Sequence, residues 1–163
     1  MVFESFLSYS RLQTETASEL TAQSSVASLG YALDGRLGDF YNEEAFRHLL
    51  EIERTRAERS DCSFLLLLVR LGRCPEQGDT ISRAVCPALF SGLSLCVREV
   101  DFVGWYREGR VAGAVLAQGL DIPGSDAPAR IVERVAHVLG QRLPERIATR
   151  LRVRVVKIDP RAK

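Results

Sequence analysis

The sequence predicts an α+β domain with a ferredoxin-like βαββαβ core. Three observations carry this prediction: a continuously apolar segment at 64–69, a strand-turn-strand pattern at 102–117, and amphipathic helical patterns between the strands. In the order strand, helix, strand, strand, helix, strand, right-handed crossovers place both helices on one face of an antiparallel sheet. An extra N-terminal helix precedes this core. The length of 163 residues suits one folded domain.

Residues 1–35 differ in composition from the rest of the chain. They contain the small, polar run TETASELTAQSSVASLG, which is open to three interpretations: a marginal helix, a linker, or an arm that orders against a partner. We therefore divide the chain into an N-terminal linker or docking segment, 1–35, and a folded domain, 36–163. The start has no basic leader followed by an apolar core, and no apolar run is long enough to span a bilayer. These features predict a soluble cytoplasmic protein without membrane contact.

The extra helix is predicted to run from Asn42 to about Ser60. Asn42 can cap its first turn, where Glu43 and Glu44 place negative charge near the helix N-terminus. The segment FLLLLV, 64–69, is too short for an independent helix and has no polar alternation. It is therefore predicted to be a strand buried on both faces, in the middle of the sheet.

The second helix is predicted to begin at Asp79 or Thr80, after the loop GRCPEQGD. Pro87 lies inside the helical pattern, so it should kink this helix or mark its true start. A third helix is predicted to begin at Ser125 or Asp126.

The remaining strands are predicted at Phe102–Tyr106, Val111–Ala117 and Leu151–Ile158. Trp105 and Tyr106 are adjacent on a strand and must point to opposite faces, so one of them is expected in the core.

Arginines alternate with apolar residues along the last strand. With Arg142 and Arg146 nearby, this ladder could receive an acidic partner or nucleic acid. The favoured interpretation is a solvated sheet edge protected against pairing, because no aromatic residues are interleaved as in single-strand binders. The net charge of +1 also gives no general attraction to nucleic acid. The residues of the ladder are Arg150, Arg152 and Arg154.

The cysteines and histidines do not form a recognisable metal site. The cysteines stand ten or twelve residues apart, without the close pair that closes a zinc site, and are predicted to be buried free thiols. His48 and His137 lie within helical patterns, and no nucleophile elbow is present. The sequence therefore predicts no metal, no cofactor and no catalytic residue. The cysteines are Cys62, Cys74, Cys86 and Cys96.

Several segments, in collinear order, resemble the GGDEF or diguanylate cyclase family. LGDFYNEEAFRHLLEIERTRAERS is similar to the family's opening segment, in which a leucine, a turn and a Tyr-Asn pair lead into an Ala-Phe helix. SFLLLLVRL resembles the first strand, and VREVDFVGWYREGRVAGAVLAQ resembles the strand, signature hairpin and returning strand. The likeness covers roughly residues 35–158 and implies a GGDEF-like topology. The matching residues of the opening segment are Leu37, Tyr41, Asn42, Ala45 and Phe46.

The same resemblance implies a degenerate relative that has lost activity. Active relatives hold divalent cations with one carboxylate at the end of the first strand and another in the Gly-Gly-Asp/Glu-Glu-Phe hairpin. Here the first strand ends Val69–Leu71, without an acid, and the paired glycines of the hairpin are missing. The hairpin tip is one residue longer and reads Arg107, Glu108, Gly109, Arg110, so Glu108 is its only carboxylate. The guanine-recognition loop is also shortened, with Asp79 as a candidate remnant.

One feature of the family is retained in form. Arg98-Glu99-Val100-Asp101 occupies the place of an inhibitory Arg-x-x-Asp site for cyclic di-GMP. The guanidinium fork of Arg98 suits a phosphate or a guanine edge, and Asp101 could accept from guanine N–H groups. The alternative is that Arg98 is a solvated cation at a helix end and Asp101 a turn residue.

The resemblance therefore predicts a non-catalytic regulatory or scaffolding module. Its candidate partners are cyclic di-GMP, at Arg98 and Asp101, and a protein or second copy that contacts the N-terminal segment. One alternative is an enzyme in which Glu108 and Asp79 support residual GTP binding or cyclisation. The other is a ferredoxin-like interaction domain without a nucleotide ligand, since fold alone does not select a function.

Overall fold

The structure, a computed structural model, describes residues 40–117 and 126–161. The helices are α1 (Glu43–Ser60), α2 (Cys86–Cys96), α3 (Ala127–Arg142) and α4 (Glu145–Ala148). The strands are β1 (Phe40–Tyr41), β2 (Phe64–Leu71), β3 (Phe102–Arg107), β4 (Val111–Leu116) and β5 (Leu151–Ile158). The predicted N-terminal segment and its boundary at residue 35 lie outside the described residues.

The strands form one sheet in the order β1-β3-β4-β2-β5. The neighbours β3 and β4, β4 and β2, and β2 and β5 are antiparallel, as the ferredoxin-like prediction requires. The apolar strand β2 lies between β4 and β5, which confirms its predicted central position. The short strand β1 was not predicted, and it pairs in parallel with β3, so the sheet is mixed.

The two faces of the sheet carry different helices. Alternate side chains of β2 divide between them, because successive side chains of a strand point to opposite faces. Leu65, Leu67 and Val69 pack with α2 and α3, whereas Leu66 packs with α1. Both crossover helices therefore share one face, as predicted, and the extra helix α1 covers the other.

The adjacent aromatic residues of β3 follow the same alternation. Trp105 is buried on the α2 side, where its ring meets Phe90 edge-on at 4.9 Å between centroids. Tyr106 lies half-buried on the α1 side, with its ring centroid 6.4 Å from that of Phe46. The prediction that one of the pair enters the core is confirmed.

The start of α1 is fixed by its N-cap and by close packing on two glycines of the sheet. The Asn42 side chain accepts a hydrogen bond from the Ala45 N–H at 2.9 Å, which confirms the predicted cap. One turn later, the fully buried Phe46 ring lies against Gly104 and Gly113, which face each other across β3 and β4. The absence of side chains at these glycines lets α1 approach the sheet closely.

The predicted start of α2 at Asp79 or Thr80 is wrong. The helix begins at Cys86, and Pro87 stands in its first turn, where a missing N–H is tolerated. The chain before Cys86 follows turns instead, and the Ile81 N–H donates to the hairpin carbonyl of Gly109 at 2.7 Å. Of the two outcomes expected for Pro87, it marks the true start of the helix.

The four cysteines are free, as predicted, but they are not buried to the same degree. Cys62 is exposed, and Cys74, Cys86 and Cys96 are half-buried. The prediction of buried thiols is therefore wrong for Cys62, which follows the C-terminal end of α1 and faces solvent. His48 and His137 are exposed on α1 and α3, as expected of helix-surface residues.

Within residues 40–117 and 126–161, no helix combines the length and the apolar character that crossing a bilayer requires.

Candidate functional site

The hairpin between β3 and β4 carries the predicted signature residues at its tip. The Arg110 N–H donates to the Arg107 carbonyl at 3.0 Å, and Gly109 has a φ of 70°, a conformation that favours glycine. The pairing register shifts between Trp105 and Arg107, so β3 contains a bulge just before the tip. A bulge inserts one extra residue into a strand, so two residues of β3 here oppose one residue of β4.

Hydrogen bonds tie the tip to its surroundings on two sides. On one side, the Glu108 N–H donates to a Glu43 carboxylate oxygen at 2.8 Å, and Glu43 also pairs with Arg47 at 2.8 Å. On the other, the Gly109 carbonyl accepts the Ile81 N–H from the loop that follows β2. The tip therefore connects the first turn of α1 with the loop that follows β2.

Asp79, the candidate remnant of a guanine site, also lies at the tip. Its carboxylate is 3.8 Å from an Arg110 guanidinium nitrogen. Beside the tip, on the α1 side, a surface depression of about 390 Å³ is present. Three carboxylates and one guanidinium surround it, so its charged groups are mainly acidic. It is lined by Asn42, Glu43, Glu44, Arg47 and Glu108.

The resemblance to the GGDEF family implies a metal-binding carboxylate at the end of β2 in active relatives. Here Val69 and Leu71 are buried in the apolar core on the α2 side, and Arg70 is exposed. In residues 40–117 and 126–161, no group of three or more acidic, cysteine or histidine side chains is arranged to hold a metal ion. The geometry at this strand end offers apolar side chains and a cation rather than anionic oxygens.

Arg150 holds the loop after β2 in place. Its guanidinium donates to the Gly72 carbonyl at 2.8 and 3.3 Å, to the Gln77 side-chain oxygen at 3.1 Å, and to the Gly78 carbonyl. The Gly72 N–H in turn donates to the Arg150 carbonyl at 2.7 Å. No sequence signal predicted this role, because contacts more than seventy positions apart leave no local pattern.

The predicted arginine ladder on β5 is therefore only partly correct. Arg152 and Arg154 are exposed on one face of the strand, as alternation requires. Arg150 precedes the strand and binds the loop instead of facing solvent.

Cys74 lies in the same loop, in an environment that favours its thiolate. Backbone N–H groups of Glu76 and Gln77, and more weakly the charge of Arg150, lower its pKa. Burial raises the pKa of Cys86 and of Cys96 instead.

Arg98 and Asp101 do come together, in the turn that leads into β3. One Asp101 oxygen accepts the Arg98 N–H at 2.8 Å and lies 3.7 Å from the Arg98 guanidinium, while the other accepts the Ala117 N–H at 3.1 Å. The Asp101 side chain is 2% exposed and that of Arg98 is 56% exposed. Arg98 also donates to the Ala117 carbonyl at 3.3 Å. In this geometry the carboxylate fastens the loop and the guanidinium reaches the surface.

The two predicted groups of site residues are separate in space. Arg98 and Asp101 precede β3, whereas Arg107 ends it and Glu108–Arg110 form the turn that follows. The length of β3 places roughly 15–20 Å between them.

Solved GGDEF domains share this architecture. The coiled coil and GGDEF domain of DgcB from Caulobacter crescentus, in complex with c-di-GMP, superposes with a TM-score of 0.59 at 14% identity, over 98% of this chain and 85% of that one. The chain has the fold of a GGDEF domain. This confirms the fold that the sequence resemblance implied.

Two proteins from Pseudomonas aeruginosa have the same GGDEF fold. The GGDEF domain of PA1120 (TpbB or YfiN) has a TM-score of 0.53 and 19% identity, over 76% of this chain and 74% of that one. The diguanylate cyclase SiaD, in complex with its activator SiaC, has a TM-score of 0.53 and 18% identity, over 95% of this chain and 58% of that one. No protein-family model and no curated protein sequence matches this chain.

Proposed function

We propose that this chain is a non-catalytic regulatory or scaffolding module of GGDEF type, which acts in the cytoplasm by binding. The observation that carries the proposal is the end of β2, where Val69 and Leu71 are buried in the apolar core and Arg70 is exposed. Cyclisation of a nucleoside triphosphate needs divalent cations, and these cations need carboxylate oxygens. A strand end without an acid does not supply them.

The contacts of the hairpin tip support the same proposal. Its backbone groups are engaged by Glu43 and Ile81, and the Asp79 carboxylate faces Arg110. A tip that serves a triphosphate must instead offer open backbone N–H groups and oxygens directed at a metal. These contacts fit a structural turn better than a turn that binds a triphosphate and its metal ions.

We assign cyclic di-GMP as the candidate ligand of the loop before β3. The neighbouring structure of DgcB contains this dinucleotide, and the exposed Arg98 guanidinium has the planar donors that phosphate and guanine accept. Both Asp101 oxygens already accept backbone N–H groups, so Asp101 positions the loop and Arg98 makes the ligand contact.

Isothermal titration with cyclic di-GMP tests this assignment. The wild-type chain should release or absorb heat at tens of micromolar protein, and Arg98→Ala should remove the signal. Arg130→Ala changes a different exposed arginine and should titrate like the wild type. A wild-type chain that gives no heat removes the sensing part of the proposal.

The non-catalytic part has a separate test. Incubation with GTP and magnesium or manganese should yield no cyclic dinucleotide. Product that Glu108→Gln abolishes would instead establish the alternative, an enzyme that uses the tip carboxylate.

Protein contacts through residues 1–35 complete the proposal. SiaD is a neighbour that was solved with an activator protein. Light scattering on the full chain and on residues 36–163 tests whether the first segment drives self-association. If both contain the same number of chains per particle, that role is rejected.

A further inference from the structure

We infer that the α1 side of the sheet, at its hairpin end, is a docking surface for an acidic, extended segment of a partner protein. The surface consists of an arginine row formed by Arg70, Arg107, Arg152 and Arg154, all of which are exposed. This inference deepens the proposed binding function, because it names a surface and the chemistry of its partner.

The pairing register of the strands places the arginines of the row side by side. Arg107 on β3 pairs with Val111 on β4, Val111 pairs with Arg70 on β2, and Arg70 pairs with Arg152 on β5. Neighbouring strands lie about 4.8 Å apart, so three cations and one valine cross the sheet side by side. Arg154 stands two residues beyond Arg152 and therefore projects from the same face.

The row carries positive charge that the described residues do not balance. Arg70 and Arg152 are directly opposite each other, and like charges in that position destabilise a sheet. Within residues 40–117 and 126–161, no carboxylate lies within ion-pair distance of any arginine of the row. Three acids lie at the same end of the sheet. Glu43 is already engaged by Arg47 and the Glu108 N–H, and among the described residues neither Glu44 nor Glu108 forms an ion pair with the row. An anionic partner would relieve this repulsion.

The position of β5 favours an extended peptide as that partner. In the described part of the chain β5 ends the sheet, and its eight residues pair with β2 on one side only. A strand added to the open edge would place alternate side chains about 7 Å apart, which is also the spacing of Arg152 and Arg154 along β5. Acidic residues at alternate positions of the added strand would then lie beside these arginines.

Nucleic acid fits the row less well. Single-strand binders interleave cations with aromatic residues on which bases stack, whereas the residue between Arg107 and Arg70 is Val111. From the sequence alone, a solvated edge was the favoured interpretation of Arg152 and Arg154. The register adds Arg70 and Arg107 from other strands, which have no ion-pair partner among the described residues, and a protective edge does not need them.

A labelled peptide tests the surface directly. The probe is a fluorescein-labelled octapeptide that alternates glutamate and threonine, titrated by anisotropy at low salt against the full chain. The double variant Arg152→Gln, Arg154→Gln should weaken its binding about tenfold or more. The matched control Arg130→Gln, Arg146→Gln removes the same charge from exposed sites on α3 and α4 and should change affinity less than about twofold. Equal effects of the two double variants, or no binding by the wild type, would overturn the inference.

Two further probes separate strand addition and nucleic acid from simple charge attraction. The same peptide with N-methyl groups at alternate residues cannot complete a ladder and should bind at least about tenfold more weakly. Undiminished binding of the methylated peptide would reject strand addition. Tighter binding of an oligothymidylate of equal charge, lost in the arginine double variant, would reassign the surface to nucleic acid.

Failure of peptide binding can be distinguished from failure of cyclic di-GMP binding. Arg98 lies before β3, away from the row, so the arginine double variant should give the wild-type titration with cyclic di-GMP. A chain that fails to bind cyclic di-GMP but binds the peptide loses only the sensing role.

Discussion

The Asp101 carboxylate holds together the loop that leads into β3. It accepts N–H groups from Arg98 and Ala117, which belong to segments on either side of the hairpin. We expect Asp101→Ala to lower the free energy of unfolding by about 1–3 kcal/mol, because both donors lose their partner. Urea unfolding measures this loss. Glu99→Ala, an exposed change in the same turn, should stay within about 0.5 kcal/mol, and an equal loss there would mean that Asp101 has no special role.

Cys74 should become reactive at a lower pH than Cys86 and Cys96. Its pKa is lowered by the backbone N–H groups of Glu76 and Gln77, whereas burial raises the pKa of Cys86 and Cys96. The thiolate is the nucleophile, so a lowered pKa increases the reactive fraction near neutral pH. Alkylation by iodoacetamide, followed by mass spectrometry between pH 6 and 9, should modify Cys74 before the other two. Simultaneous modification of all three would contradict this order.

At the scale of elements, α1 and the hairpin are fitted to each other through glycine. A Cβ on Gly104 would lie 2.5 Å from the Tyr41 carbonyl oxygen and 3.0 Å from the Phe46 ring, so the backbone would have to shift. We expect Gly104→Ala to destabilise the chain by about 1–3 kcal/mol. Gly140→Ala, in the exposed part of α3 with nothing within 4 Å of its Cβ, should instead stabilise by about 0.5–1 kcal/mol. Thermal unfolding compares the two, and loss of stability in both would reject the packing argument.

Elements with a strong local signal were predictable from the sequence, and those set by distant contacts were not. Asn42 caps a helix that begins at the next residue, and the apolar run of β2 is itself the strand. Both were predicted correctly. The stretch before Cys86 has helical periodicity but is held by the hairpin carbonyl of Gly109, so its assignment to α2 was wrong. The two-residue strand β1 is shorter than any pattern that sequence can show, and its partner lies about sixty residues away.

At the scale of the whole molecule, the topology was predictable but the arrangement of the site was only partly so. The order of strands and helices, together with the resemblance, gave the GGDEF fold that the neighbouring structures confirm. The adjacency of Arg98 and Asp101 followed from their spacing. The roles of Arg150 and of the Asp101 oxygens depend on packing between segments far apart in sequence, and no local pattern encodes them.

The central position of β2 determines which residues at its end can be replaced by an acid without loss of stability. We expect Val69→Asp to cost about 3–5 kcal/mol, since it buries an uncompensated carboxylate in the core between the sheet and α2. Arg70→Asp should change stability by less than about 1 kcal/mol, because that position is exposed and faces Arg152. Urea unfolding checks both values. Neither variant should form cyclic dinucleotide from GTP, and product from Arg70→Asp would show that one carboxylate suffices.

The contact of Phe46 with glycines on both β3 and β4 has a dynamic consequence. The same helix also reaches the hairpin tip through Glu43. A fluctuation that lifts α1 therefore withdraws support from both hairpin strands together. We therefore expect helix and hairpin to open as one cooperative unit, so that hydrogen exchange of their slow amide protons should occur at a common rate.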